Sequence, residues 1–135
     1  MKPTQKIALG IGCDRGTPQA TIDMCVAEAL AACDARLADV STVASITLKA
    51  DEPGLLAMAQ HYGWHIHFYS ADELACIDVP HPSETVRKYT GTPSVAEAAA
   101  LLAANTTADQ LLVEKHKRRG ADGRNATVSI ARMKS

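Results

Sequence analysis

The residues best suited to chemistry gather in one short stretch, GIGCDRGT (10–17). Three chemistries use a glycine-punctuated turn between a strand and a helix. Backbone N–H groups and a helix start can cradle a phosphate, activate a thiol, or hold some other anion. The nucleotide reading fits poorly. Gly10, Gly12 and Gly16 give G-x-G-x-x-x-G rather than G-x-G-x-x-G, and no G-x-x-x-x-G-K-[ST] occurs. At the end of the next strand, where a ribose-binding acid belongs, Lys49 stands instead. Cys13 has Arg15 and a helix start beside it, both of which lower a thiol pKa. No histidine or asparagine is marked as its partner, so it reads as a small residue that fits the turn. What remains is a cradle for a non-nucleotide anion, or a tight turn that holds nothing. The cradle would comprise Gly12, Cys13, Asp14, Arg15, Gly16 and Thr17.

A second group follows in SITLKADE (45–52). Lys49 can hold a carboxylate. Asp51 or Glu52 can act as a general base toward water, or simply cap and complement the next helix. His65 and His67 share one strand face, but no third ligand is in view and no Cys/His set has zinc spacing, so no metal is expected. Cys25 and Cys33 fall in a helical pattern and read as small buried hydrophobes.

The elements that must position these groups alternate along the chain. Strands are predicted at 6–12, 43–49 and 64–70, with helices at 17–34, 51–63 and 94–104. Thr17 and Pro18 suit the start of the first helix, and Gly63 the end of the second. Ser70/Glu73 and Ser94/Glu97 both have capping-box spacing. The stretch 79–93 reads as a Pro-rich loop. Strands at 110–117 and 126–133, joined by RRGADGRN, predict a closing antiparallel hairpin at or near one edge. Strand–helix alternation predicts an α/β fold with a mostly parallel sheet of about five strands, covered on both faces.

One domain, 1–135, accommodates the whole chain, and 47% hydrophobic with 21% charged residues is ordinary for a globular protein. No apolar run reaches a membrane span. The apolar part of MKPTQKIALG is too short for a secretory signal, so the reading is a cytoplasmic protein. Charge is divided unevenly. Residues 1–114 carry seven Lys/Arg and fourteen Asp/Glu, whereas residues 115–135 carry seven Lys/Arg and one Asp. With only five Phe, Trp and Tyr for stacking and no basic helix, nucleic acid is not an expected partner.

Several stretches together resemble one family, that of CobE and the C-terminal domain of CbiG in cobalamin biosynthesis. They are GIGCDRGT (10–17), ASITLKADEPGLLAMA (44–59), FYSADEL (68–74), PSETVRKYTGTPSVAEAAAL (82–101), LLVEKHK (111–117) and ATVSIAR (126–132). The length is closest to the stand-alone members. The resemblance implies a three-layer α/β/α domain with a mixed sheet. It also implies a corrinoid or precorrin intermediate as partner, with other enzymes of corrin synthesis as further candidates, and no cofactor. CbiG opens a lactone ring on its substrate and releases acetaldehyde, so the resemblance leaves a carrier or accessory module and a hydrolase both open. Corrinoid intermediates are apolar macrocycles fringed with carboxylates. The loop 12–17, Lys49, Gly91, Ser94 and Lys115 would bind that fringe if they converge at one sheet edge.

Overall fold

IALGI at 7–11 is apolar at every position but Gly10, the pattern of a strand covered on both faces. The computed structural model, which describes residues 6–75, 77 and 95–133, places it at the centre of the sheet. The elements are β1 (Ile7–Cys13), α1 (Gln19–Ala32), β2 (Val40–Ile46), α2 (Pro53–Tyr62), β3 (Ile66–Tyr69), α3 (Ala71–Ala75), α4 (Val95–Ala104), β4 (Leu111–Arg119) and β5 (Asn125–Arg132). Strand order is β3-β2-β1-β5-β4. β1 pairs parallel with β2, and β2 with β3. β5 runs antiparallel to both β1 and β4. The sheet is therefore mixed, and the C-terminal hairpin supplies one edge.

Helices cover both faces. On one, α1 and α2 close the main core around Ile7, Leu9, Ile11, Val128 and Ile130. On the other, alanine-rich α4 lies on Ala8, Ala44 and Ala131. It lies unusually close. A Cβ at Gly10 would stand 1.9 Å from Ala96 O and 2.5 Å from Ala100 N. Gly10 is thus the seat of α4 rather than part of the loop that follows.

Three local expectations change. β2 spans Val40–Ile46 rather than 43–49, because Thr47–Lys49 coil into a 3-10 turn closed by Ala50 N–H donating to Thr47 O (3.0 Å). Thr17 does not cap α1. The cap position is Pro18, and the buried Thr17 hydroxyl donates to Asp14 O at 2.7 Å. The hairpin loop is tighter than the eight-residue connector, since Arg118, Arg119 and Asn125 belong to the strands and Gly120 N–H donates to Arg124 O (2.8 Å). The Ser70/Glu73 capping box is present in both directions. Gly63 ends α2 with φ 74°, where a left-handed conformation favours glycine. Ser94, Gly91 and the loop 79–93 lie outside the described residues.

Part of the basic charge of residues 115–135 is met inside the domain. Arg118 and His116 of β4 both meet Glu28 of α1, at 2.6 and 2.9 Å. Lys115 lies 3.6 Å from Glu97 of α4, and Arg124 pairs with Asp122. At the amino end of β1, Met133 N–H donates to Lys6 O (2.9 Å), so the two ends of the described chain run side by side.

Candidate functional site

β1 outruns its pairing with β2, which ends at Gly10↔Ala44. The next carbonyl, Ile11 O, accepts a hydrogen bond from the buried Ser45 hydroxyl (2.6 Å). Beyond it the chain turns through Asp14–Pro18 into α1 on one face. On the other face α4 begins with Val95, whose Cγ1 would lie 3.9 Å from a Cβ at Gly12. The start of α1 and the Val95 end of α4 therefore flank the carboxyl end of β1, the place where open α/β sheets bind ligands. Among the described residues, a Cβ at Gly12 would meet Val95 alone, at ordinary van der Waals distance.

The loop is clamped from two sides. From the hairpin, Asn125 donates through both its backbone N–H (2.8 Å) and its side-chain amide (3.1 Å) to Asp14 Oδ2, and Arg124 Nε donates to Arg15 O (3.0 Å). From the start of α2, Glu52 Oε1 accepts from the Gly16 N–H at 2.8 Å. Gly16 has φ 82°, as a turn that excludes Cβ-bearing residues requires. Arg15 Nη1 lies 2.9 Å from Asp51 Oδ1 and 3.2 Å from Glu52 Oε2. The two carboxylates differ sharply in setting. The Glu52 side chain is 1% exposed and Asp51 79%, while Arg15 is 60% exposed.

The sequence thus presents an anion cradle and a pair of acids as separate features, and the fold brings them together. The acids occupy the cradle. The Arg15 hydrogen bond and charge hold the Asp51 carboxyl below the usual carboxylate range. Asp51 is correspondingly a poorer proton acceptor. Lys49 sits half-buried at the end of β2 and has no ion-pair partner among the described residues. Lys115 lies on the strand beyond β5, with Glu97 as its neighbour. Arg124 and Asn125 are loop partners that sequence reasoning missed. Their only signal is the polar hairpin tip.

Cys13 packs half-buried against the α1-side core, and burial raises its thiol pKa from 9.0 to about 11, with Lys49 opposing. A helix start and Arg15 therefore do not activate it. At pH 8 the thiolate fraction falls roughly a hundredfold relative to an ordinary thiol, and the higher nucleophilicity of a more basic sulfur recovers about tenfold. Alkylation of Cys13 by iodoacetamide, followed by peptide mass spectrometry, should be about tenfold slower than that of a free cysteine. A rate above the free thiol would restore a nucleophile. Cys25 is buried too, and its thiol pKa is likewise raised.

Among the described residues no group of three or more His, Cys, Asp and Glu has metal-binding placement. The His65 and His67 rings meet edge to face at 5.2 Å. An open depression of about 580 Å³ lined by Asn105, Asp109, Arg132 and Met133 lies at the opposite end of the sheet, and none of the residues singled out in the sequence lines it.

Comparison with known proteins adds an independent line. Residues 7–131 match the family described as Cobalamin synthesis G C-terminus. A cobalt-precorrin-5A hydrolase of Priestia megaterium is 41% identical over 93% of this chain, which spans 32% of that protein. Protein CobE of a Sinorhizobium species is 40% identical over 81% of this chain and 71% of its own length. The crystal structure of CobE, described as a protein from the cobalamin (vitamin B12) biosynthetic pathway, superposes with a TM-score of 0.77 at 29% identity, covering 99% of this chain and 94% of that one.

Proposed function

Because this chain belongs to the cobalamin synthesis G C-terminal family, we propose that it binds a corrinoid intermediate by the carboxylates on that ligand's rim, as a carrier or accessory module. The binding site is the carboxyl end of β1 and β2. The observation that carries this reading is the placement of two cations, Arg15 and Lys49, within electrostatic reach of Cys13 at the carboxyl end of β1. Arg15 offers a planar fork suited to carboxylates, and Lys49 offers a charge with no partner among the described residues. The start of α4, with Gly91 and Ser94 just before it in sequence, completes the proposed rim.

The test is titration of cobyrinic acid, a corrinoid with free side-chain acids, against its amidated counterpart, read by corrin absorption. The acid should bind more tightly, and added salt should weaken it. Lys49→Ala should weaken it about tenfold, roughly 1.4 kcal/mol. Equal affinity for acid and amide, unmoved by salt, would overturn the reading.

A lactone-opening hydrolase is the second reading, favoured by the 41% identity to a cobalt-precorrin-5A hydrolase. Asp51 or Glu52 would have to serve as base. Both are engaged by Arg15, and Asp51 is held ionised, which suits recognition better than proton abstraction. Acetaldehyde released from a lactone-bearing intermediate, above a no-protein control, would select the hydrolase.

A further inference from the structure

Arg15 bridges one carboxylate that cannot leave and one that can. Glu52 is buried, caps the start of α2 with its backbone, and is tied to the Gly16 N–H. Asp51 is mostly in solvent and pairs with Arg15 at 2.9 Å. An incoming ligand carboxylate needs the same guanidinium. We infer that Asp51 is an intramolecular stand-in for the ligand, a residue that sets affinity by competing with the ligand's carboxylate for Arg15.

This inference rests on the proposed binding of rim carboxylates and deepens it. The exchange is carboxylate for carboxylate. Asp51 swings into water as the ligand arrives, while Glu52 keeps Arg15 anchored beside the loop. No buried charge is exposed or left behind, because the displaced group is already hydrated. A ligand amide cannot make the exchange. It offers one neutral acceptor in place of an ion pair, so it leaves the Arg15–Asp51 pair intact. Asp51 therefore lowers affinity for acids and leaves affinity for amides alone. For a carrier this matters at release. A tethered carboxylate stands ready to retake Arg15 each time the ligand's grip loosens, which shortens the bound lifetime.

The experiment is a double-mutant cycle on cobyrinic acid and its amidated form, with Asp51→Asn, Arg15→Gln and the double variant, each checked by thermal melting. Asp51→Asn should tighten binding of the acid two- to fivefold, the range that exposed ion pairs support, chiefly through slower dissociation. Binding of the amide should not change. In the Arg15→Gln background the gain should vanish, since nothing is left to compete for. Asp51→Ser should reproduce the gain without relying on an isosteric side chain. If wild type binds the acid but Asp51→Asn binds it no better, the competition is absent while the carboxylate-binding reading stands. A gain that persists undiminished without Arg15 would equally overturn the inference, because it would report the general field of a removed charge. If no variant binds the acid at all, the binding reading fails and the inference with it.

Discussion

Gly10→Ala should cost the domain about 3 kcal/mol, the upper end of the usual range for overpacking a core. The added carbon would stand 1.9 Å from Ala96 O and 2.5 Å from Ala100 N. Both are backbone atoms of α4, so no side chain can rotate away, and the helix itself must lift. Lifting it loosens Ala8, Ala100, Leu101 and Ala131 together. Gly12→Ala is the internal control. Among the described residues its new carbon would meet only Val95, at 3.9 Å, and stability should move by less than about 1 kcal/mol. Urea denaturation of both variants checks the contrast. A loss below about 1 kcal/mol for Gly10→Ala would mean that α4 is not seated on this strand as described.

Glu52→Ala should cost about 2 kcal/mol. Breaking a buried ion pair typically costs about 3–5 kcal/mol when it strands a buried partner, but here the remaining partner, Arg15, is already largely in water. What is stranded is the Gly16 N–H, and what is emptied is the space of a buried side chain. Glu52→Gln keeps an acceptor for that N–H and fills the space, so it should recover about half of the loss. Equilibrium denaturation of the pair separates the two contributions. Equal losses for Gln and Ala would assign the whole effect to charge, and a negligible loss for Ala would show that the loop does not depend on this anchor.

How much of this was legible in the sequence follows the range of each interaction. Local signals were. The buried run of β1, the Ser70/Glu73 box, the glycine end of α2 and the closing hairpin all appear where their residues predict them. The end of β2 did not, because SITLK continues a strand-like pattern while the chain already needs a turn toward α2. Thr17 has the right type and position for a cap, but two backbone carbonyls, one of them at Asn125, compete for its single proton. The candidate site is illegible for the same reason. GIGCDRGT and ADE are 36 residues apart in the Arg15–Asp51 contact, and only the parallel pairing of β1 with β2 puts the two loops side by side. Read separately, each promises something to a ligand. Read together, each first satisfies the other. The basic segment 115–135 is partly of the same kind, since Glu28, Glu97 and Asp122 pair with three of its seven cations.

The hydrogen bond from Met133 N–H to Lys6 O has a consequence for how this domain can be joined to others. Residues 6 and 133 leave the sheet side by side at its middle, on adjacent antiparallel strands, at the end away from the loop 12–17. A polypeptide joined there would enter and exit like a plug on its prongs, disturbing neither the strand order nor the carboxyl ends of β1 and β2. Neighbouring termini are what make domains insertable and circularly permutable. A short linker between those two strand ends, with new ends cut at the exposed tip between β4 and β5, would also release Arg124 and Asn125 from the continuous chain, and so ask whether the hairpin clamp on Asp14 and Arg15 depends on chain continuity or on its contacts alone.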